Sequence, residues 1–300
     1  MTPFTIVVDS SCDLPPEYIR EHGIEVLPMP FELDGREHNL GYWQEITDKE
    51  FYGALRKGGV AKTSQINPGY FNAVFTEYAS QGREAVFIIL SSGLSATSQC
   101  AALALEEVKQ SWPDCKIFVI DSIYAASGIG LLVMLAVEKR SEGLTAGETA
   151  LWLETKKHSC FGFFTVDDLM YLHRGGRLSK LSAIAGSALG IKPVLVIMPD
   201  GALALKDKTR GQNAALKLMV EHMKRCIDLD AGLDTVLINH TDCPETARTI
   251  AGLVESAVNV KNIIILAMGP VIGAHVGPGS IALVFEGSIT REEFERRLYG

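Results

Sequence analysis

The sequence predicts an α/β protein whose first half forms a parallel sheet. Three short runs of mainly apolar, β-branched residues lie at 4–8, 85–90 and 116–120. Segments with apolar residues at helical spacing, 68–81 and 96–110, lie between the strands. This alternation is typical of right-handed β-α-β crossovers, so we expect a Rossmann-like parallel sheet in this half.

The second half predicts a mixed sheet, because a tight turn at Pro199, Asp200 and Gly201 joins two candidate strands as a hairpin. The candidate strands are 162–166, 194–198, 203–206, 235–239, 263–267 and 281–285. The candidate helices are 166–173, 181–189, 211–226 and 244–257. The segment 269–280, rich in Gly and Pro, is expected to be a loop.

The length supports two domains. The chain has 300 residues, and one globular domain usually holds about 100–200. The change from parallel to mixed pattern places the boundary near residues 155–160. We therefore expect an N-terminal α/β domain over residues 1–157 and a C-terminal mixed α/β domain over residues 158–300.

Composition excludes several classes of protein. With 47% hydrophobic and 21% charged residues, the chain is neither disordered nor collagen-like. Lys and Arg number 28 against 36 Asp and Glu, which gives a net charge of −8. A large basic face for nucleic acid is therefore not expected.

The expected location is the cytoplasm. Six cysteines lie far apart without metal-site spacing, which favours reduced thiols, and the N-terminus has no basic region of a signal peptide. The apolar stretch 123–137 is shorter than the roughly 18–20 residues of a membrane span, and 263–285 is interrupted by Gly and Pro. Both stretches are expected to be buried in a soluble protein.

Hydroxyl side chains follow the predicted strands, and each group has two interpretations. Residues 91–97, SSGLSAT, either cap a helix or cradle an anion. The same segment is a near miss to the G-x-S-x-G nucleophile elbow, which leaves a serine hydrolase acting through Ser95 or Ser92 as an alternative. Thr63 and Ser64 either stabilise a turn or donate hydrogen bonds to a ligand.

Two further segments carry candidate binding groups. Arg174 and Arg177 flank a Gly pair, where they either grip an anion, dock a partner or stay solvated after a helix end. His275 is the single titratable group of the 269–280 segment, and it is either a packed residue or a functional one. No motif for a metal ion or a dinucleotide is present, so no metal and no cofactor are expected.

Seven short motifs, taken in order and spacing, resemble the bacterial DegV family over essentially the whole chain. They are VDS at 8–10, KTSQ at 62–65, LSSGLS at 90–95, DS at 121–122, GGRLS at 175–179, IKP at 191–193 and GAHVGPG at 273–279. The resemblance implies a two-domain DegV-type fold with a ligand tunnel between the domains. Ile66 and Ala96 depart from the residues usual in the family, Pro and Gly.

The resemblance also implies a function. The protein would bind one long-chain fatty acid and, as the non-catalytic subunit of a fatty acid kinase, present the carboxyl group to a separate ATP-dependent kinase subunit. It would have no catalytic residues, and its contact with a membrane would be transient. A lipid sensor without a kinase partner is the other alternative, beside the hydrolase.

The implied site residues follow from matching the family motifs. The residues that would hold or approach the carboxyl group are Thr63, Ser64, Ser92, Gly93, Leu94 and His275. Arg174 and Arg177 would lie at the tunnel mouth or on the surface that docks the partner.

Overall fold

The structure is a computed structural model that describes residues 4–39, 45–177 and 190–299. The strands are β1 (Thr5–Asp9), β2 (Glu25–Leu27), β3 (Phe31–Leu33), β4 (Arg36–His38), β5 (Ala61–Thr63), β6 (Ala85–Ile89), β7 (Ile117–Asp121), β8 (Cys160–Thr165), β9 (Ile191–Ile197), β10 (Leu203–Arg210), β11 (Leu233–His240), β12 (Val260–Ala267) and β13 (Ile281–Glu286). The helices are α1 (Pro16–Glu21), α2 (Asp48–Arg56), α3 (Pro68–Ser80), α4 (Thr97–Ser111), α5 (Ser127–Ser141), α6 (Ala146–Lys156), α7 (Met170–Arg174), α8 (Gln212–Lys224), α9 (Pro244–Ala257), α10 (Pro270–Val276) and α11 (Arg291–Tyr299).

The first sheet is parallel, in the order β2-β1-β6-β7, as the alternation of strands and helices predicted. Helices α3 and α4 lie against each other and contact β7. The carboxyl ends of β1, β6 and β7 therefore meet at one edge, where ligands of such sheets usually bind. The sequence did not predict β2, because three residues carry no readable periodicity.

The second large sheet is mixed, in the order β10-β9-β8-β13-β11-β12. Only β11 and β12 run parallel within it, and the predicted hairpin joins β9 to β10. Both hairpin strands extend beyond the predicted ranges 194–198 and 203–206. The mixed character that the turn predicted is confirmed.

Helix α5 lies between the two large sheets and contacts strands of both, β1 and β6 on one side and β8, β11 and β13 on the other. Nine of its residues are buried, and its apolar residues are distributed all round the helix, as expected for a helix covered on every side. One apolar core surrounds α5 and includes side chains of both sheets. The domain boundary between residues 157 and 158 stays a prediction.

Three local features differ from the expectations. The segment expected to be a loop, 269–280, contains helix α10, which begins at Pro270, a residue suited to the first helical turn. The helix expected at 166–173 is reduced to α7, and the one expected at 181–189 lies outside the described residues. A small antiparallel sheet, β4-β3-β5, was not predicted.

No helix in the described part of the chain is long and apolar enough to cross a membrane. The stretch 123–137, singled out for its length, supplies most of α5 and is largely buried between the sheets.

Candidate functional site

A cavity of about 220 Å³ lies where the two large sheets meet, next to the start of α5 and to α10. A void needs only about 10–15 Å³ on this measure to hold one water molecule, so the cavity has room for a ligand. Its walls are mainly apolar, and they include Met29, Leu90, Leu94, Phe164, Leu172, Ile197, Leu203, Met268, Val271, Ile272, Val276 and Val284.

The floor of the cavity is one face of the mixed sheet. Side chains alternate between the two faces of a strand, and Gly162 and Phe164 of β8 and Ala282 and Val284 of β13 all lie on the cavity side. Small residues at two of these four positions leave space above the sheet.

The lining also includes the polar side chains Thr63, Ser64, Gln65, Ser95, Ser127, Arg177 and His275. Three of them, Thr63, Arg177 and His275, lie near one another and define the polar part of the cavity. The hydroxyl of Thr63 and the imidazole Nε2 of His275 are hydrogen-bonded at 2.8 Å, although 212 positions separate them in the chain. Thr63 ends β5, which pairs with β3, and His275 lies near the end of α10. The fold thus brings together two residues that the family motifs predicted.

The imidazole of His275 is neutral at physiological pH. Burial and, to a lesser extent, the positive charge of Arg177 together lower its pKa to about 4. Its Nδ1 has no hydrogen-bond partner among the described residues. Gly175 lies so close that a Cβ there would be 2.3 Å from this nitrogen, which explains the requirement for glycine in the loop after α7.

Arg177 places a positive charge at the polar part of the cavity. Its Nε donates to the carbonyl of Leu94 at 2.9 Å, and its Nη1 donates to the carbonyl of Gly175. Burial lowers its pKa, and it forms no ion pair within the described residues. A half-buried cation without a carboxylate partner favours an anionic ligand.

The serine segment after β6 contributes to two spaces. Leu94 and Ser95 line the cavity, whereas Ser92 and Gly93 line an adjoining cleft of about 470 Å³. The two spaces share Leu94, Ser95, Ala96, Arg177 and Leu203. The role predicted for Ser92 and Gly93 at the carboxyl group stays a prediction. Ser95, not assigned to that role from the sequence, lies on the cavity wall.

Gly93 also lies at a close contact between the loop after β6 and the β9–β10 turn. A Cβ at Gly93 would lie 2.6 Å from the carbonyl carbon of Gly201, in the β9–β10 turn. Ser91 donates its hydroxyl hydrogen bond to the carbonyl of Gly201 at 3.0 Å. Gly201 itself has φ +76°, a backbone conformation that favours glycine. This contact joins the strand-end loop of the parallel sheet to the hairpin of the mixed sheet.

Arg174 lies outside both spaces. It is exposed, and its guanidinium lies 4.6 Å from the ring centroid of Tyr171. Its predicted position at the tunnel mouth or on a docking surface stays a prediction. Of the two arginines, Arg177 is the one that reaches the cavity.

The geometry does not favour the hydrolase alternative. The hydroxyl of Ser95 is bonded to that of Thr97 at 2.9 Å, and the carboxylate of Asp121 accepts from the backbone of Ser92 and Ile123. Within the described residues no histidine is hydrogen-bonded to Ser92 or Ser95. A nucleophile activated by a neighbouring base, which such an enzyme requires, is not assembled there.

The described residues also hold no group of three or more His, Cys, Asp or Glu side chains suited to a metal ion.

Comparison with known proteins gives consistent results. The model of the family described as "Uncharacterised protein, DegV family" matches residues 3–288. A DegV domain-containing protein of Clostridium perfringens is 36% identical over 287 residues, covering 96% of this chain and 98% of the relative.

Solved structures of similar fold include a lipid-binding protein and a fatty acid binding protein. A DegV lipid-binding protein of Thermotoga maritima has a TM-score of 0.83 and 28% identity, covering 96% of this chain and 99% of its own. DegV of Bacillus subtilis, a fatty acid binding protein, has a TM-score of 0.81 and 27% identity, covering 96% of this chain and all 100% of its own. With the family model matched along nearly the whole sequence, the chain belongs to the DegV family.

Proposed function

We propose that this protein binds one long-chain fatty acid, with the acyl chain in the cavity and the carboxylate at its polar part. One observation carries the proposal: an apolar cavity leads to a hydroxyl, a neutral imidazole and an arginine that has no acidic partner among the described residues. The fatty acid and lipid binding stated for the relatives of Bacillus subtilis and Thermotoga maritima supports it.

The apolar walls account for affinity. Burial of each methylene group contributes about 0.8 kcal/mol, whereas association costs several kcal/mol, about 4–15. By these figures, about 5–19 methylene groups must be buried before the gain offsets that cost. Short carboxylic acids are expected to bind weakly.

The polar residues account for orientation. A carboxylate removed from water is costly unless hydrogen bonds and a positive charge compensate it. Ser95 offers a hydroxyl donor, and Arg177 offers its charge. The bonded pair of Thr63 and neutral His275 offers one more donor, because one of its two N–H and O–H groups is used in their mutual hydrogen bond. The carboxylate would supply the acidic partner that Arg177 does not have within the described residues.

We further propose that the protein presents this carboxyl group to a separate ATP-dependent kinase subunit, which forms the acyl phosphate. The cleft beside Ser92 and Gly93 adjoins the polar part of the cavity, so a partner's group can approach the carboxyl group from there. On this proposal the chain is not itself an enzyme, resides in the cytoplasm and contacts membranes transiently to exchange fatty acid. The role of a lipid sensor would require the same binding without a kinase.

The binding proposal is tested by lipid extraction and mass analysis of the purified protein, followed by uptake of a fluorescent fatty acid after delipidation. We expect about one fatty acid per chain and saturable uptake that oleate displaces but oleyl alcohol displaces much more weakly. Absence of both co-purified lipid and uptake would refute the proposal. Equal displacement by acid and alcohol would refute the carboxylate site.

The kinase proposal needs a separate measurement. ATP consumption is followed with fatty acid and Mg²⁺, first with the isolated chain and then after addition of an ATP-binding fatty acid kinase subunit. We expect turnover only in the second case. Turnover by the chain alone, or failure of every such subunit to act on the loaded protein, would contradict the presenting role.

A further inference from the structure

Helix α10, which carries His275, is held at its start by side chains from other parts of the fold. The N–H of Gly269, the residue before the helix, donates to Oδ1 of Asp13 at 2.8 Å. The carbonyl of the preceding residue, Met268, accepts from the hydroxyl of Tyr52 at 2.6 Å. The helix has no side-chain cap of its own.

These anchors matter because α10 is short. An isolated helix of seven residues is not stable in water, so its position depends on tertiary contacts. Tyr52 lies directly against its backbone, since a Cβ at Gly273 would be 2.3 Å from the tyrosine oxygen. The groups that hold the start of the helix therefore help to set the direction in which His275 points, together with the packing of α10 against α7, β5 and α2.

Asp13 is an unusual residue for such a position. It is 3% exposed, it follows β1 with φ 56°, and its Oδ2 has no hydrogen-bond partner among the described residues. Burial raises the pKa of its carboxyl group well above the usual range, and the nearby Asp9 adds to this effect. A buried carboxyl group with only one of its oxygens hydrogen-bonded lowers stability. The one hydrogen bond that its side chain makes in the described structure is to Gly269, at the start of α10.

We propose that Asp13 is a positioning residue for His275: by accepting from Gly269 it fixes the start of α10 and so places the imidazole against Thr63. The effect on ligand binding rests on the proposed function: if His275 were misplaced, the protein would bind the fatty acid carboxylate more weakly. Asp9, four residues earlier, has a different task, since it accepts from Leu90 and Ser11 and not from α10.

Two substitutions separate the hydrogen bond from the backbone conformation. Asp13→Gly removes the acceptor but tolerates φ 56°. Asp13→Asn keeps both an acceptor oxygen and tolerance of the left-handed region. Asp9→Asn is the matched control, because it changes a buried carboxyl group at the same strand end that does not contact α10.

The measured quantity is the pKa of His275, obtained by NMR titration of delipidated protein with isotope-labelled histidine. The His275 signal is assigned by its absence in the His275→Gln variant. In the wild type we expect a pKa near 4. In Asp13→Gly the ring gains solvent, and its pKa rises toward the ordinary value of about 6.5. Asp13→Asn and Asp9→Asn should keep the wild-type titration, whatever their stability.

Two results would overturn the proposal: an unchanged His275 titration in a folded Asp13→Gly protein, or an equal shift in Asp13→Asn. Affinity for a fluorescent fatty acid should fall about fivefold in Asp13→Gly and less than about twofold in Asp13→Asn. Because the titration needs no ligand, it tests Asp13 even if the wild type fails to bind fatty acid.

Discussion

The mixed sheet has two faces that differ sharply although the same strands build both. On one face Phe161, Phe163 and Phe285 stack, with ring centroids of Phe161 and Phe285 5.6 Å apart, and are covered by α8, α9 and α11. On the other face the neighbouring positions are Gly162 and Ala282, and the space above them is the cavity.

The difference shows how one sheet can be a rigid support and a binding surface at once. Because side chains alternate along a strand, a large residue on one face and a small one on the other can occupy consecutive positions, as Phe161 and Gly162 do. The packed face is filled by aromatic and aliphatic side chains, whereas the cavity face leaves space unfilled.

The largest expected effect distinguishes the two faces by stability. Phe163→Ala, on the packed face, should lower the free energy of unfolding by about 3–5 kcal/mol, as expected for a fully buried ring. Phe164→Ala, on the cavity face, should cost less than half as much, because that ring already borders open space. Urea denaturation measures both, and equal losses would contradict the proposed difference between the faces.

Filling the cavity should change binding without much loss of stability. A Cβ at Gly162 would meet Ile197, Tyr124 and Val284 at ordinary distances of 3.7–3.8 Å. Gly162→Val should therefore fold normally and yet weaken binding of a long-chain fatty acid about tenfold, or ~1.4 kcal/mol. Gly162→Ala is the control with a small expected effect. Full affinity in Gly162→Val would place the acyl chain elsewhere.

The polar part of the cavity is tested at Thr63. Thr63→Val removes the hydroxyl that is bonded to His275 while keeping the shape of the side chain. We expect the binding free energy of a fatty acid to become less favourable by about 1–3 kcal/mol, the usual cost of leaving a buried hydrogen-bonding group without its partner. Thr63→Ser restores the hydroxyl and most of the affinity, whereas equal affinities of the Val and Ser variants would exclude this contact.

The last expected effect is a pH dependence of stability that arises on the cavity side. The pKa of His275 is lowered to about 4 in the folded protein and is about 6.5 in the unfolded chain. Between these values the unfolded chain binds a proton that the folded protein does not, so stability falls as the pH decreases through this window.

His275→Gln should remove that contribution. The variant should therefore gain stability relative to the wild type as the pH is lowered from about 6.5 toward 4. Above pH 7.5 the difference between the two proteins should be constant. Unfolding by urea at several pH values measures this, and a constant difference over the whole range would show that the imidazole titrates normally.

Several features of the site were predictable from local sequence. Apolar β-branched runs ending in hydroxyl residues indicated β6 and β7, and family motifs singled out Thr63 and His275. Their hydrogen bond was not predictable, because the residues lie in different elements 212 positions apart. The tertiary packing of α10, including its contact with β5, brings them together.

Other features had no local signal. Three-residue strands such as β3 and β5 are too short to show a period of two, and α10 forms within a stretch of Gly and Pro because Tyr52 and Asp13 hold it. The position of Arg177 next to His275 was also not predictable, because the local sequence does not show whether this side chain points toward the cavity or into solvent.

The sequence by itself determined the α/β class, the mixed second sheet and the family, because these depend on periodicity, turn residues and the order of short motifs. The tertiary structure alone decided the position of α5 between the sheets, the contact of Gly93 with Gly201 and the cavity beside them. The physical reason is that a cavity is unfilled space between segments that are distant in the chain. The size of the cavity depends on how closely the backbones of these segments approach each other, and no single residue determines it.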